Sequence, residues 1–298
     1  MAINWFKYSS PQAFLPLAGR MIPWFSVTAL ASICVGLYIG FFVAPTDFQQ
    51  GDSYRIIFVH VPAAWMSMFL YVVMAIWAGL GLGLNARPSF MMAQAIAPTG
   101  AMFTFLALLT GAMWGKPTWG AWWVWDARLT SELILLFQYI GIILLRASID
   151  DLRRADRASA VLALVGVVNV PIIYFSVKWW NTLHQGASVT MTESKMATPM
   201  VAAMLIMMLG FWMYSFAVTL ARMRCVILDR ERQPSWSKHS SIHEVWRRAD
   251  AMGECERVFR DGRVWPLCVG IIRCHGCMYA LGSTCCLAST CVNDGREP

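Results

Sequence analysis

The stretch "LILLFQYIGIILL", residues 133–145, decides the fold. It lies between Glu132 and Arg146 and crosses a bilayer only if these flanking polar groups sit among the headgroups, which gives a span at 129–147. Five longer runs lack Asp, Glu, Lys and Arg altogether, near 21–44, 56–84, 89–115, 158–177 and 197–221, and each has the length of a transmembrane helix. With residues 129–147 the number of spans becomes six, so both ends of the membrane domain face one side. Composition agrees: 58% hydrophobic residues, 14% charged residues and a mean hydropathy of +0.52 are too apolar for a soluble domain of this length. The expected fold is an all-α integral membrane protein of six transmembrane helices. The first span is too long for a signal peptide and has no small-residue cleavage site, so it reads as a retained helix.

Positive charge sets the orientation. The N-terminal segment and alternate loops carry Lys7, Arg20, Arg87, Arg146, Arg153, Arg154, Arg157, Arg222 and Arg224, whereas the other loops carry Arg55, Lys116, Arg128, Lys178 and Lys195. The richer set belongs in the cytoplasm, which puts both termini there and the loop between spans three and four outside. The net charge of +7 is then mostly topology and calls for no nucleic-acid partner.

That outer loop holds "WGAWWVWDARLT", residues 119–130. An aromatic belt at the membrane surface accounts for one or two tryptophans. It does not account for Trp119, Trp122, Trp123 and Trp125 together, nor for Trp114, Trp179 and Trp180 nearby in the topology. Gly115, Pro117 and Gly120 argue that the segment begins as a loop; Trp119, Trp122 and Trp123 would share a face if it were helical. Both shapes remain open. The membrane part has only two histidines, His60 and His184, both at outer ends of spans. Taken singly, each reads as an interfacial polar residue. Together with the tryptophans they suggest two axial imidazoles for one porphyrin, the rings supplying a flat apolar platform and Arg128 or Arg55 gripping its carboxylates.

The motif from "MWGKPTWG" through "WDARLTSELILL" resembles the WWD signature of haem-handling proteins of cytochrome c maturation, and with six spans, His60 and His184 it is most similar to the CcmC family. The resemblance covers residues 1 to about 224. It implies a protein of the bacterial inner membrane that holds haem on the periplasmic side and passes it to the haem chaperone CcmE, working with the small membrane protein CcmD and the CcmA–CcmB ATPase. It also implies that His60 and His184 ligate the iron of a non-covalent haem b, and that Trp114, Trp119, Trp122, Trp123, Trp125 and Asp126, within a WWD region of about 114–132, form the platform. Asp47, Gln50 and Arg55 of the first outer loop resemble positions associated with the chaperone encounter.

Two histidines saturate an iron and leave no open position for oxygen, so such a site protects haem instead of using it. A ligand set at the membrane surface leaves the porphyrin edge within reach of a soluble partner. The chain has no Walker or G-x-S-x-G motif, so it reads as a delivery component, not an enzyme, and ATP hydrolysis or acyl chemistry would come from partners. A b-type membrane oxidoreductase would set its histidines deep in facing helices; here none lies deep. A cytochrome c haem lyase of the same superfamily calls for more spans and histidines. A solute transporter calls for charged residues in mid-span, and the sequence reads as having none. Membrane lipid is the remaining expected partner.

The chain changes character at about residue 225. Eight of the nine cysteines lie at or beyond Cys225, and the apolar runs there are too short to span. "CHGC" has no second well-spaced pair, and Met278 follows Cys277, so the haem-attachment pattern C-x-x-C-H fails. Residues 1–224 thus read as the membrane domain. Residues 225–298 read as a disordered or non-native tail produced by a reading-frame shift near Cys225.

Overall fold

The protein is seen in a computed structural model that describes residues 10–180 and 196–230. Two compact units divide the chain at Ile227; the first, Met1–Ile227, holds the spans, and of the second only Leu228–Arg230, the end of a helix, is described. The described residues contain no strand. Helix α1 runs over Pro11–Tyr38 and widens into a π-turn, Ile39–Val43. A short loop and a 3-10 turn, Asp52–Ile56, lead into α2, Ile57–Leu84. Helices α3, Arg87–Trp119, and α4, Ala127–Ala147, follow. The chain continues through α5, Leu152–Gly166, α6, Asn169–Trp179, and α7, Thr198–Arg230. Six of these segments are long and apolar enough to cross a membrane, α5 and α6 together making the fifth. This is the expected all-helical, six-span architecture.

Local chemistry fixes where the helices stop. Asn85 ends α2 in the left-handed conformation (φ 50°), with its N–H on the Gly81 carbonyl. Gly120 ends α3 in the same region (φ 78°), which a side chain would disfavour. Asp126 and Asp151 begin α4 and α5 by accepting from backbone N–H groups one turn ahead.

The packing pattern is that of a protein with lipid outside. Large apolar side chains such as Phe105, Phe137, Leu144 and Val165 point outward, while buried positions include Ser67, Thr104, Thr110, Ser176 and Ser215. Their hydroxyls bond back to carbonyls of their own helices, as for Thr104 on Gly100 and Ser176 on Ile173, which leaves little polar surface for the hydrocarbon. Helix α2 lies antiparallel to α3 along most of its length, and Tyr71, Tyr139, Phe58, Phe103 and Leu135 fill the centre. At the end of the bundle away from His60, Arg146 of α4 pairs with Asp156 of α5 at 2.6 Å, both largely buried.

Three features depart from the sequence reading. The fifth span is broken at Val167–Val168. Pro171 has no N–H for the Val167 carbonyl, which instead accepts from Val170 at 3.0 Å, and the Asn169 amide reaches across to the Ser131 carbonyl at 2.9 Å. Helix α3 continues through Pro117 to Trp119, so the tryptophan-rich stretch begins as helix and not as loop. Glu132, expected among the headgroups, is 7% exposed and turned into the bundle, where the Ser67 hydroxyl of α2 meets its Oε1 at 2.6 Å. An acidic side chain is therefore buried in the second turn of a span, near its end and not in mid-span. The hydrogen bond from a facing helix makes that burial tolerable.

Candidate functional site

His60 sits in the first turn of α2 and faces α3. Its Nδ1 lies 3.0 Å from the Ala107 carbonyl oxygen and 3.0 Å from Thr110 Oγ1. A carbonyl can only accept, and Thr110 directs its own proton to the Leu106 carbonyl at 2.7 Å, so both neighbours are acceptors and Nδ1 carries the proton. The imidazole lone pair is thereby assigned to Nε2. Gly111, one residue on, permits this approach: a Cβ there would stand 3.0 Å from His60 Cε1. One helical turn further, the Trp114 ring meets the imidazole edge-on at 5.7 Å between centroids. Ala107, Thr110, Gly111 and Trp114 share one face of α3 by their spacing.

The first interhelical loop closes over this group. Trp114 Nε1 donates to Gln50 Oε1 at 2.8 Å, joining the loop to the histidine through the indole. Asp47 Oδ1 accepts from the N–H groups of Gln49 and Gln50 at 2.9 and 2.8 Å, the Gly51 N–H donates to the Asp47 carbonyl, and the Tyr54 hydroxyl donates to the Pro45 carbonyl. Asp47 therefore shapes the loop that presents Gln50. Arg55 is committed locally: its Nη1 donates to the carbonyls of Gly40 and Ala44, at 2.7 and 3.1 Å, and its Nε pairs with Asp52 at 2.9 Å. It caps the end of the first span.

After Gly120 the chain leaves the helix, and residues 120–126 cross to α4. Trp122 and Trp125 are 60% and 76% exposed, and Trp123 is half-buried with its ring edge-on to Trp125 at 5.5 Å. Trp119 belongs to α3 and packs against Gly115, so it does not share a helix face with Trp122 and Trp123. Asp126 is buried and accepts from the Arg128 N–H at 2.6 Å, which makes it the N-cap of α4. Arg128 is half-buried in the first turn of α4, with Asp126 and Glu132 as the charges acting on it. At the end of α6, Trp179 stacks on Phe175 at 5.1 Å, and Trp180 follows, half-exposed. His184 lies outside the described residues.

The structure thus brings His60, Trp114 and Gln50 into one connected group at the end of the bundle that also carries the Trp122–Arg128 turn. Ala107, Thr110 and Gly111 were missed from the sequence. Their signal is the spacing of small residues one and two turns before Trp114, and it means something only once α3 is known to face His60. No group of three or more His, Cys, Asp and Glu side chains among the described residues could hold a bare metal ion.

Six apolar spans with His60 and a set of tryptophans at one end define a multi-pass membrane protein with a candidate site at one end of its helices. The family model described as "Heme exporter protein C", CcmC, matches residues 4–238. The chain is 48% identical over 226 residues to heme exporter protein C of Escherichia coli K12, covering 76% of this chain and 91% of that protein. It is 44% identical over 232 residues to the Haemophilus influenzae Rd protein of the same name, covering 78% and 94%. Against the Bradyrhizobium diazoefficiens protein, again of that name, it is 48% identical over 224 residues, covering 74% and 84%. The chain belongs to the CcmC family. The match runs past Cys225, as does α7, and residues 239–298 lie beyond it.

Proposed function

We propose that this protein handles haem in cytochrome c maturation: it binds haem b non-covalently at the His60 end of the bundle, on the periplasmic face of the inner membrane, and delivers it to the chaperone CcmE. The observation that carries the reading is the state of His60. Its Nδ1–H is held by the Ala107 carbonyl, which fixes the tautomer and orients the ring, the support found behind most ligating histidines. A porphyrin brings four nitrogens of its own, so a site of isolated histidines suits it where a bare ion would need a cluster.

The remaining residues divide the work. His184 is the second axial ligand in this reading. Trp122, Trp123 and Trp125 supply apolar area at the bundle end, and the exposure of Trp122 and Trp125 suits a surface completed by a cargo and by a partner protein. Trp114 and Trp119 back that surface from α3. Asp126 holds the turn to α4 and so sets where Arg128 stands to meet the haem carboxylates. Arg55, Asp47 and Gln50 act through the shape of the first loop, which offers Phe48, fully exposed, to an incoming chaperone. CcmD and the CcmA–CcmB ATPase complete the system, and the tail from about residue 239 takes no part. No bond within the porphyrin is made or broken by this chain; its task is to orient, to keep exogenous ligands off the axial positions, and to release.

The test is the absorption spectrum of the full chain purified from haem-sufficient cells. A six-coordinate b-type spectrum is expected. It should become five-coordinate or imidazole-rescuable in His60→Ala or His184→Ala and be lost in the double variant, with copurification of CcmE falling in parallel. Haem-free wild-type protein, or an unchanged spectrum in the double variant, overturns the reading.

A further inference from the structure

The buried carboxyl of Glu132 is not used by the site as described. It lies in the second turn of α4, 7% exposed, against Ser67, which is two turns inward from His60 on α2. We propose that Glu132 is a positioning residue for Arg128 that takes up one proton when the carboxylates of haem engage that arginine, so that capture and release of the cargo are coupled to a proton. This rests on the haem-binding reading above.

Ser67 makes the two charge states of Glu132 structurally equivalent. Its Oγ is 2.6 Å from Glu132 Oε1 and 2.7 Å from the Ala64 carbonyl oxygen, and a hydroxyl has one proton to give. When Glu132 is ionised, that proton goes to the carboxylate. When Glu132 is protonated, the carboxyl donates to Oγ and Ser67 donates to Ala64. In either state Oε1 keeps a partner without backbone movement.

The charge of opposite sign set beside Glu132 by helical spacing is Arg128, one turn nearer the helix end on the same face of α4. It makes no direct ion pair among the described residues, so it interacts with Glu132 through space and can turn to another anion. Haem carboxylates that draw Arg128 toward them remove that favourable field and add negative charge nearby. An ionised carboxylate inside a span then has too little compensation, and a proton from solvent converts Glu132 from –CO₂⁻ to –CO₂H. The other groups near Glu132 do not substitute for it. Helix α4 offers Asp126, already capping the helix, and Tyr139; α2 offers Tyr71 and, two turns out, His60. Helix α6 offers the uncharged Asn169, and its titratable Tyr174 and Lys178 lie further toward its C-terminal end. The titratable side chains of α3, Arg87 and Lys116, stand near its two ends, and those of α5 lie in its first turns at the far end of the bundle.

The experiment titrates the detergent-purified full chain with haem and with haem dimethyl ester across the neutral pH range. Histidine protonation affects both ligands alike, so the ratio of the two affinities isolates the carboxylates. In the wild type, haem affinity relative to the ester should fall by up to tenfold per pH unit as pH rises, the slope of one coupled proton. Glu132→Gln, which keeps the shape and the hydrogen bond to Ser67, should bind haem with a flat ratio. Ser67→Ala should keep a slope but move it along the pH axis. An infrared difference spectrum of the wild type should gain a protonated-carboxyl band on haem addition that Glu132→Gln lacks. The proposal is overturned by equal slopes in wild type and Glu132→Gln, or by haem binding with no carboxyl band. The infrared arm needs only the wild type, so a poorly folding variant does not rescue the idea. Absence of haem binding by the wild type overturns the haem reading itself, a distinguishable result.

Discussion

Gly111 gives the sharpest test of how His60 is held. In Gly111→Ala the new Cβ stands 3.0 Å from His60 Cε1, whereas ordinary carbon contacts are about 3.5–4.0 Å, so the imidazole must retreat by about half an ångström. The helix backbone opposite cannot follow. The two 3.0 Å contacts of Nδ1 with Ala107 and Thr110 then approach the limit of a hydrogen bond, and Nε2 moves with the ring. The weakened contacts cost about 0.5–1.5 kcal/mol, while alanine in place of glycine inside a helix favours α3 by about 1 kcal/mol. Protein stability should therefore change by less than about 1 kcal/mol. Haem affinity should fall roughly tenfold, the lower end of the effect of disturbing the support behind a ligating histidine. Haem titration followed by absorption, alongside thermal unfolding in detergent, measures both quantities. Gly141→Ala on α4, where the nearest neighbour of a Cβ is 4.0 Å away, should leave haem affinity unchanged and raise stability by up to about 1 kcal/mol. Unaltered haem affinity in Gly111→Ala, or an affinity loss that merely follows a comparable loss of stability, would refute the reasoning.

Other consequences of the geometry can be measured in the same preparation. Asp126→Asn should retain the cap of α4 and much of the haem, whereas Asp126→Ala should lose about 1 kcal/mol of stability; equal damage from both would mean that the charge, and not the cap, matters. Trp122→Ala or Trp125→Ala should weaken haem retention by about 1–3 kcal/mol without shifting thermal unfolding, because the rings are exposed in the protein alone, and the Phe replacements should be mild. Parallel losses in unfolding temperature would make these rings part of the fold. A chain ending at Lys238, where the family match stops, should insert, bind haem and support cytochrome c maturation as the full chain does; loss of activity together with an unbroken reading frame in the DNA would give the tail a native role.

Much of the fold was legible in order along the chain. A bilayer requires each crossing segment to satisfy its own backbone, so the number and rough limits of the spans follow from uninterrupted apolar runs, and residues 133–145 could be counted as the sixth. The aromatic richness of residues 114–125 and the isolation of His60 were equally plain, because they are matters of composition. What the sequence could not contain is the rotation and register of one helix against another. The proton on His60 Nδ1 depends on Ala107 and Thr110, which lie 47 and 50 positions away and become its neighbours only when α2 and α3 pack. Glu132 looked like a headgroup residue because it flanks an apolar run, yet the facing hydroxyl of Ser67, 65 positions earlier, lets it turn inward. Arg55 looked available to a ligand until the end of the first span supplied two carbonyls for it. Hydropathy is summed locally and survives any rotation of a helix about its axis. A hydrogen bond near 3 Å does not, and only the packed bundle decides which polar groups meet.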